Sequence, residues 1–126
     1  MKVVVCVKQT PSTTATFKVE GDAVSWEDTG SGKPNVVNPW DEFAIEEGIR
    51  LKENHGASDV VALTAGAEDS VDVLRTGLAM GCTEAVHVVD DALSDADTND
   101  TAGILAAAIS KIGDASIVIT GKQAIE

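Results

Sequence analysis

Four short runs of β-branched and aliphatic residues recur along this chain, and segments with helical spacing separate them. The runs extend from Lys2 to Val7, Asp59 to Thr64, Ala85 to Val89 and Ser116 to Ile119. Continuous apolar runs of this length are typical of strands that are buried on both faces. Strands that alternate with helices form a parallel sheet with helices on its faces and right-handed crossovers. The sequence therefore predicts an α/β fold, a three-layer α/β/α sandwich of Rossmann-like or flavodoxin-like topology.

The segment from Asn38 to Gly56 predicts the first helix. Asn38 suits the N-cap, and Pro39 suits the first helical position, whose N–H has no partner within a helix. Asp41 falls in the first turn, where a carboxylate can accept hydrogen bonds from free backbone N–H groups. Gly56 provides a left-handed stop. The predicted buried stripe of this helix consists of Phe43, Ala44, Gly48 and Leu51.

The other connections carry weaker signals. Alternating residues on either side of Glu20-Gly21-Asp22 predict a small hairpin inserted after the first strand, and the apolar spacing predicts two more helices. The segment from Asp90 to Asp100 reads as a solvated acidic loop rather than a site for a divalent cation. The predicted segments are a hairpin over Thr16–Val19 and Ala23–Trp26, a loop over Thr29–Pro34, a helix over Ser70–Met80 and a third helix marked by Ile104, Leu105, Ala108, Ile109 and Ile112.

Charge and composition exclude some classes of partner. The chain has 21 acidic and 9 basic residues in 126, a formal net charge of −12, which argues against nucleic acid and anionic membranes. No segment approaches the roughly 20 apolar residues that span a bilayer, and no signal peptide is evident, so we expect a cytoplasmic protein without membrane insertion. The excess of carboxylates also fits a surface adapted to high salt.

A ligand site is expected at one edge of the sheet. Ligands of open α/β sheets bind at the carboxyl ends of the strands, beside the switch point. The first and fourth strands are expected to be neighbours there, with the turn at Asn38 and the Ala65-Gly66 turn at the rim. Lys8 and Lys122 follow these two strands, so either they bind a phosphate or another anion together or they are ordinary surface lysines.

Residue chemistry alone does not identify a reaction. Neither a G-x-G-x-x-G nor a P-loop motif is present, and the first strand ends in Cys6-Val7-Lys8 without the acidic residues that a receiver domain needs for Mg²⁺. Cys82 has no nearby base in the sequence, and His55 and His87 stand alone, so a nucleophilic site is not predicted. The residue types therefore indicate an α/β domain that binds an anion or a nucleotide, and nothing more specific.

Several stretches together resemble the β subunit of electron-transfer flavoproteins, including the relatives found in nitrogen-fixing bacteria. The opening strand runs into Val7-Lys8, and the other motifs follow in the order in which that family has them. Together they cover nearly the whole chain, which makes the resemblance specific. The motifs are NPWDEFAIEEGIRLKE from Asn38, VLRTGLAMGCTEAVHV from Val73 and GKQAIE from Gly121.

The resemblance implies a fold, a role and a set of site residues. The fold is the adenine nucleotide hydrolase-like variant of the Rossmann topology. The role is that of an electron carrier without catalytic residues of its own. Such a subunit pairs with an α subunit that binds FAD, and it carries electrons from acyl-CoA or other dehydrogenases to a quinone oxidoreductase or another acceptor. Its own domain binds AMP, or a second FAD in electron-bifurcating members. The matching positions here are Cys6, Asn38, Pro39, Trp40, Asp41, Ala65, Ala124 and Ile125.

One departure and two alternatives accompany this interpretation. Glu126 stands where the family has the first of several aspartates, so residues 1–126 are expected to be one nucleotide-binding domain at the N-terminal end of a longer subunit. The first alternative is a free-standing regulatory domain that binds an adenine nucleotide, similar to universal stress proteins. The glycine-rich segment typical of those proteins is missing here. The second alternative is a structural subunit with an empty cleft.

Overall fold

A four-stranded parallel sheet lies at the centre of the part of the protein that the structure describes, a computed structural model of residues 1–28 and 34–125. The predicted loop over 29–34 lies outside the described residues except at Pro34, and so does Glu126. In chain order the elements are β1 (Lys2–Cys6), β2 (Gln9–Pro11), β3 (Thr16–Glu20), β4 (Ala23–Glu27), β5 (Asn35–Val37), α1 (Pro39–His55), β6 (Asp59–Gly66), α2 (Val71–Met80), β7 (Glu84–Val89), α3 (Thr98–Ile112) and β8 (Ala115–Ile119), with short 3₁₀ turns at Glu68–Ser70 and Asp91–Asp95.

The central sheet has the strand order β7-β6-β1-β8, and every pairing in it is parallel. β1 therefore lies between β6 and β8, with Val4 opposite Val61 on one side and Val118 on the other. Because neighbours cover both of its edges and helices cover both faces, Val3, Val4 and Val5 are completely buried. The predicted parallel α/β fold and the adjacency of the first and fourth strands are confirmed.

The helices cover the two faces of the sheet unequally. α1 and α2 pack over one face, where Val3, Val5 and Val60 join the larger apolar cluster. α3 packs over the other face, against Val4, Val61 and Leu63. Successive strand residues point to opposite faces, so the two clusters alternate along β1 and β6.

The buried stripe of α1 differs from the predicted one. Ala44 and Gly48 are buried as expected, but Phe43 is 74% exposed and Leu51 only partly buried. Phe43 lies two positions beyond the buried Asp41, which is about 200° around a helix and therefore on its outer side. Ile45 and Ile49 supply the apolar contacts instead.

Gly48 sets how closely α1 approaches the sheet. A Cβ at this position would lie 2.9 Å from Val5 Cγ2 and 3.1 Å from Val60 Cγ1. Such distances are shorter than ordinary carbon contacts, and the two valines belong to a close-packed core. The glycine therefore allows the helix axis to lie against the strands at a distance that a larger residue would increase.

Two antiparallel pairs lie outside the central sheet. The predicted hairpin is confirmed as β3 and β4, with Phe17 opposite Trp26, and every residue of both strands is exposed. The pairing of β2 with β5 was not predicted, because three-residue strands are too short to show a period of two. This second pair places Val37 beside Gln9. The start of α1 therefore lies close to the carboxyl end of β1.

α3 begins inside the segment from Asp90 to Asp100, which was predicted to be an acidic loop. Asp97 is its N-cap, and Asp100 lies in its first turn. The Asp97 Oδ1 atom accepts a hydrogen bond from the Asp100 N–H at 2.7 Å, and Asp100 Oδ2 accepts from the Asp97 N–H at 3.5 Å. Part of the acidic segment thus starts a helix. Among the described residues, no helix combines the length and apolar character needed to cross a membrane.

Candidate functional site

Three segments meet where β1 and β8 end and α1 begins. They are residues 6–8 after β1, residues 38–41 at the start of α1 and residues 120–125 after β8, and together we call them the strand-end corner. The Asn38 N–H donates to the Lys8 carbonyl at 2.9 Å, which joins the first two segments. The third segment joins them through the side chains of Asn38 and Asp41. The predicted meeting of these loops at one edge of the sheet is therefore observed.

Asp41 links the ends of two neighbouring strands. Its Oδ2 atom accepts a hydrogen bond from the Lys8 N–H at 2.7 Å, and its carboxylate also accepts from the Gly121 N–H and from the side chain of Asn38. The side chain is buried, with the residue only 5% exposed. A first-turn carboxylate was expected to bind backbone N–H groups, and the groups it binds belong to other segments rather than to its own helix.

Burial also changes the acidity of Asp41. Removal from water raises the pKa of this carboxyl group, because burial disfavours the charged form. The hydrogen bonds from Lys8, Asn38 and Gly121 and the positive charge of Lys8 all lower the pKa, but burial outweighs them. The side chain therefore holds its proton to a higher pH in the folded protein than in the unfolded chain.

Asn38 occupies the N-cap position of α1, but its side chain makes no capping hydrogen bond. The Nδ2 group instead donates to the Gln123 carbonyl at 2.8 Å, and Oδ1 accepts from the Ile125 N–H at 3.3 Å. The predicted capping role is therefore wrong for the side chain, although the position is correct. These loop groups lie 85 and 87 residues away in sequence, whereas capping rules consider only residues near the start of the helix.

Gly121 brings the loop after β8 into direct contact with the start of α1. A Cβ at this position would overlap Asp41 Oδ1 and would lie 2.7 Å from the Trp40 carbonyl carbon and 2.8 Å from the Asp41 nitrogen. Two of these atoms belong to the backbone and cannot rotate away. Sequence reasoning did not include Gly121 among the site residues. The available signal was a glycine two positions after a predicted strand.

The other predicted positions lie along the same edge. Cys6 ends β1 beside Leu63, and burial, followed by the nearby Asp41 carboxylate, raises the pKa of its thiol. The Val7 N–H donates to the Leu63 carbonyl at 2.8 Å, so Ala65, two residues further along β6, lies at the same end of the sheet. Among the described contacts, none joins Ala65 directly to the strand-end corner.

Trp40 and Ile125 provide the apolar surface of the corner. They are 40% and 39% exposed, and the Trp40 ring centroid lies 6.5 Å from that of Phe43. Pro39 occupies the first turn of α1, and Ala124 precedes Ile125 in the loop that Asn38 contacts. Lys8 and Lys122 are both exposed, each within a segment of the corner. Their joint binding of an anion stays a prediction.

Other reactive side chains are used structurally. The Ser70 hydroxyl donates to the Ala67 carbonyl at 2.6 Å, so its single hydrogen is unavailable to His87 Nε2, which lies 2.7 Å away and must be the donor of that bond. Ser70 is therefore not activated as a nucleophile. Among the described residues, no group of three His, Cys, Asp or Glu side chains is arranged to bind a metal ion.

A shallow surface groove of about 630 Å³ lies elsewhere, along the start of α3. It shares no residue with the strand-end corner, and its lining includes Asp95, Asp100 and Ile104. We place the candidate site at the corner rather than at this groove, because the corner has converging backbone and side-chain hydrogen bonds at the end of the sheet where ligands bind.

Comparison with known proteins identifies the family. Residues 29–126 match the electron transfer flavoprotein domain. The chain belongs to the electron transfer flavoprotein family. The matched region contains two of the three segments of the strand-end corner, namely residues 38–41 and residues 120–125. The electron transfer flavoprotein resemblance inferred from the sequence motifs is thus confirmed.

Individual members of this family align with the whole chain. The electron transfer flavoprotein subunit beta of Clostridium acetobutylicum is 40% identical over 126 residues, and the caffeyl-CoA reductase-Etf complex subunit CarD of Acetobacterium woodii is 35% identical over 126 residues. Protein FixA of Azorhizobium caulinodans is 36% identical over 130 residues. Each alignment covers 100% of this chain but only 45–47% of the relative, so the chain spans about half the length of these relatives.

Proposed function

We propose that this chain is the N-terminal part of an electron transfer flavoprotein β subunit that pairs with an FAD-binding α subunit. Family membership and the subunit names of the relatives support this assignment. In this role the complex carries electrons from an acyl-CoA dehydrogenase or another dehydrogenase to a quinone oxidoreductase or another acceptor. The chain acts as an electron-carrier component in the cytoplasm, without an acid, base or nucleophile of its own.

The domain itself binds an adenine nucleotide at the strand-end corner, either AMP or the AMP portion of a second FAD. The observation that carries this proposal is the direct contact between residues 120–125 and the start of α1 through Asn38 and Asp41. Loop backbone at a strand end, beside a helix N-terminus, is a common setting for phosphate groups in α/β proteins. The Trp40 ring and the Ile125 side chain offer apolar surface for the adenine.

The hydrogen bonds that Asp41 accepts restrict where a phosphate can bind. The N–H groups of Lys8 and Gly121 already donate to the Asp41 carboxylate, so they are not donors for a nucleotide. We therefore assign the phosphate to the backbone of residues 122–124, the segment that carries the exposed Lys122 side chain. A bound FAD would supply the redox chemistry, and the residues of this chain would hold and orient the nucleotide.

Extraction of bound nucleotide tests the proposal. The full-length protein is purified alone and with a co-expressed α subunit, and the released nucleotides are identified by mass spectrometry. The expected result is AMP or FAD in the complex. Mutation of the strand-end corner of this subunit should remove the adenine nucleotide. ATP on the lone chain would instead favour the regulatory-domain alternative. The absence of any adenine nucleotide from this subunit in either preparation would contradict the proposed site.

A further inference from the structure

We propose that the groove along the start of α3 is a docking site for a segment of a partner protein, one that presents an aliphatic side chain flanked by lysine or arginine. The groove has a volume of about 630 Å³ and is lined by the 3₁₀ turn Asp91–Asp95 and the first turns of α3. We call it the α3 groove. It shares no residue with the strand-end corner, so the proposal does not depend on the nucleotide assigned to that corner.

The lining of the α3 groove is largely aliphatic and small. Leu93 and Ile104 supply aliphatic surface, and Gly103 and Ala107 lie one turn apart on the same side of α3. Because these last two side chains are so small, a space remains beside the helix. The groove is shallow, so it can cover one side of a protruding side chain but cannot enclose a small molecule. This shape suits a protein segment.

Gly103 is unexplained by the packing of the domain itself. It lies inside α3, where glycine is a much poorer helix former than alanine. A Cβ at this position would meet no atom within 4 Å, whereas a Cβ at Gly48 would press on two core valines. The described part of the chain therefore has no steric need for a glycine here. A side chain of another molecule that packs against the helix backbone would supply that need.

The charge around the α3 groove selects a basic segment. Residues 90–100 contain five aspartates and neither lysine nor arginine. Asp95 and Asp100 line the groove, and the carboxylates of Asp97 and Asp100 already accept the N–H groups at the start of α3. An anion would therefore be repelled, and so would a second copy of a chain with net charge −12. Lysine or arginine beside the aliphatic side chain gives complementary charge.

Titration with designed peptides tests this proposal. The probe is a fluorescently labelled six-residue peptide with two leucines between two Lys-Arg pairs. One control peptide has glutamate in place of every basic residue, a second has serine in place of both leucines, and spermidine serves as a cation without an apolar group. Fluorescence anisotropy is measured on the full-length subunit, both alone and with its α subunit. The basic leucine peptide is expected to bind with a dissociation constant below about 1 mM.

Matched variants locate the bound peptide. Ala106 and Ala107 are neighbouring exposed residues of α3, but only Ala107 lines the groove. Ala107→Leu fills the groove and should weaken binding about tenfold or more, while Ala106→Leu should stay within about twofold of the wild type.

The charge is tested with a second pair of variants. Asp95→Asn should weaken peptide binding about two- to fivefold, which is the effect of an exposed ion pair. Asp114→Asn removes the same charge at the opposite end of α3, beyond the range of screened interactions, and should leave the affinity unchanged.

Gly103→Ala separates docking from folding. The added methyl group should weaken peptide binding about threefold, even though alanine favours the helix and urea denaturation should show a more stable protein. A purely structural glycine would not produce this opposition. All five variants change exposed residues, and the same denaturation curves verify that each protein is folded.

The outcomes are decisive in both directions. Equal binding of the basic and acidic peptides, equal binding of the leucine and serine peptides, equal effects of Ala106→Leu and Ala107→Leu, or no binding to either preparation would each overturn the proposal. Saturable binding of spermidine with the affinity of the peptide would replace the protein segment with a small cation. Binding to the lone subunit but not to the complex would support the proposal and identify the α subunit as the partner. None of these readings uses the nucleotide content, so failure of the proposed nucleotide site would be seen separately.

Discussion

The N-termini of α1 and α3 use their polar side chains in opposite ways. At α3, Asp97 and Asp100 bind each other's backbone N–H groups, so both side chains serve the helix they belong to. At α1, the side chains of Asn38 and Asp41 bind the backbone of segments that follow β1 and β8. At such a helix start the cap side chain does not stabilise its own helix. It instead orders a loop from another part of the chain.

The two helices also differ in how the sheet fixes them. α1 has five buried residues and a glycine-mediated close approach, whereas none of the described residues of α3 is fully buried. Tertiary contacts therefore determine the position of α1. Local capping and a half-buried stripe that includes Leu105 and Ile109 hold α3. Substitutions in α1 should consequently alter the sheet and the corner, while equivalent changes in α3 should remain local.

The largest expected effect is that of Gly121→Ala. The new methyl group would overlap the backbone of Trp40 and Asp41, so the loop must leave the start of α1. We expect a cost of about 3 kcal/mol for the docked loop, at the upper end for overpacking, since backbone atoms cannot move aside. Faster amide exchange at Ile125 would report the undocking. Normal exchange there would show that the corner tolerates a side chain.

Gly48→Ala and Gly103→Ala provide a matched test of the two helices. Alanine favours a helix by about 1 kcal/mol over glycine, but at Gly48 the Cβ would press on Val5 and Val60. We expect Gly48→Ala to lower the free energy of unfolding by about 1.5 kcal/mol net.

Gly103 in α3 has open space around it, because no atom lies within 4 Å of where a Cβ would be. Gly103→Ala should therefore raise the free energy of unfolding by up to about 1 kcal/mol. Urea denaturation measures both variants. Changes of the same sign would remove the proposed distinction between the helices.

Removal of the α3 cap is expected to have a smaller effect. Asp97→Ala leaves the Asp100 N–H without its acceptor and should lower the free energy of unfolding by about 1 kcal/mol. The effect should be confined to α3, with unchanged exchange at Gly121 and Ile125. Increased exchange in the strand-end corner would indicate that α3 is coupled to the site after all.

The last expected effect is a change in the slope of stability with pH. Asp41 has a raised pKa, so above the unfolded-state value near 3.8 the folded protein binds more protons than the unfolded chain. The contribution of Asp41 to stability therefore falls as the pH rises from about that value through the folded-state pKa, and is constant on either side. Asp41→Asn should lack this fall. Parallel pH profiles of the variant and the wild type would contradict the raised pKa.

The central sheet could be predicted from sequence because its signals are local and strong. β1 and β6 are continuous apolar runs, and the residues of the Glu20-Gly21-Asp22 turn mark the hairpin. Right-handed crossovers then restrict which strands can be neighbours. These rules place the ends of the first and fourth strands together without knowledge of any side-chain contact.

The detail of the corner could not be predicted in the same way. The partner of the Asn38 side chain lies 85 residues away, and the packing of α1, rather than hydrophobicity, decides the exposure of Phe43. β2 and β5 are too short to carry a recognisable period. Family motifs named Asn38 and Asp41 as site residues, but the backbone groups that their side chains bind could be identified only from the structure.

The position of Trp40 gives the corner its own optical signal. The chain contains two tryptophans and no tyrosine, and the other indole, Trp26, lies on the exposed hairpin with its nitrogen bonded to Asn35. A Trp26→Phe variant would therefore emit fluorescence from Trp40 alone, beside Gly121. The emission wavelength and quenching of that single indole would then follow any movement of the loop in real time.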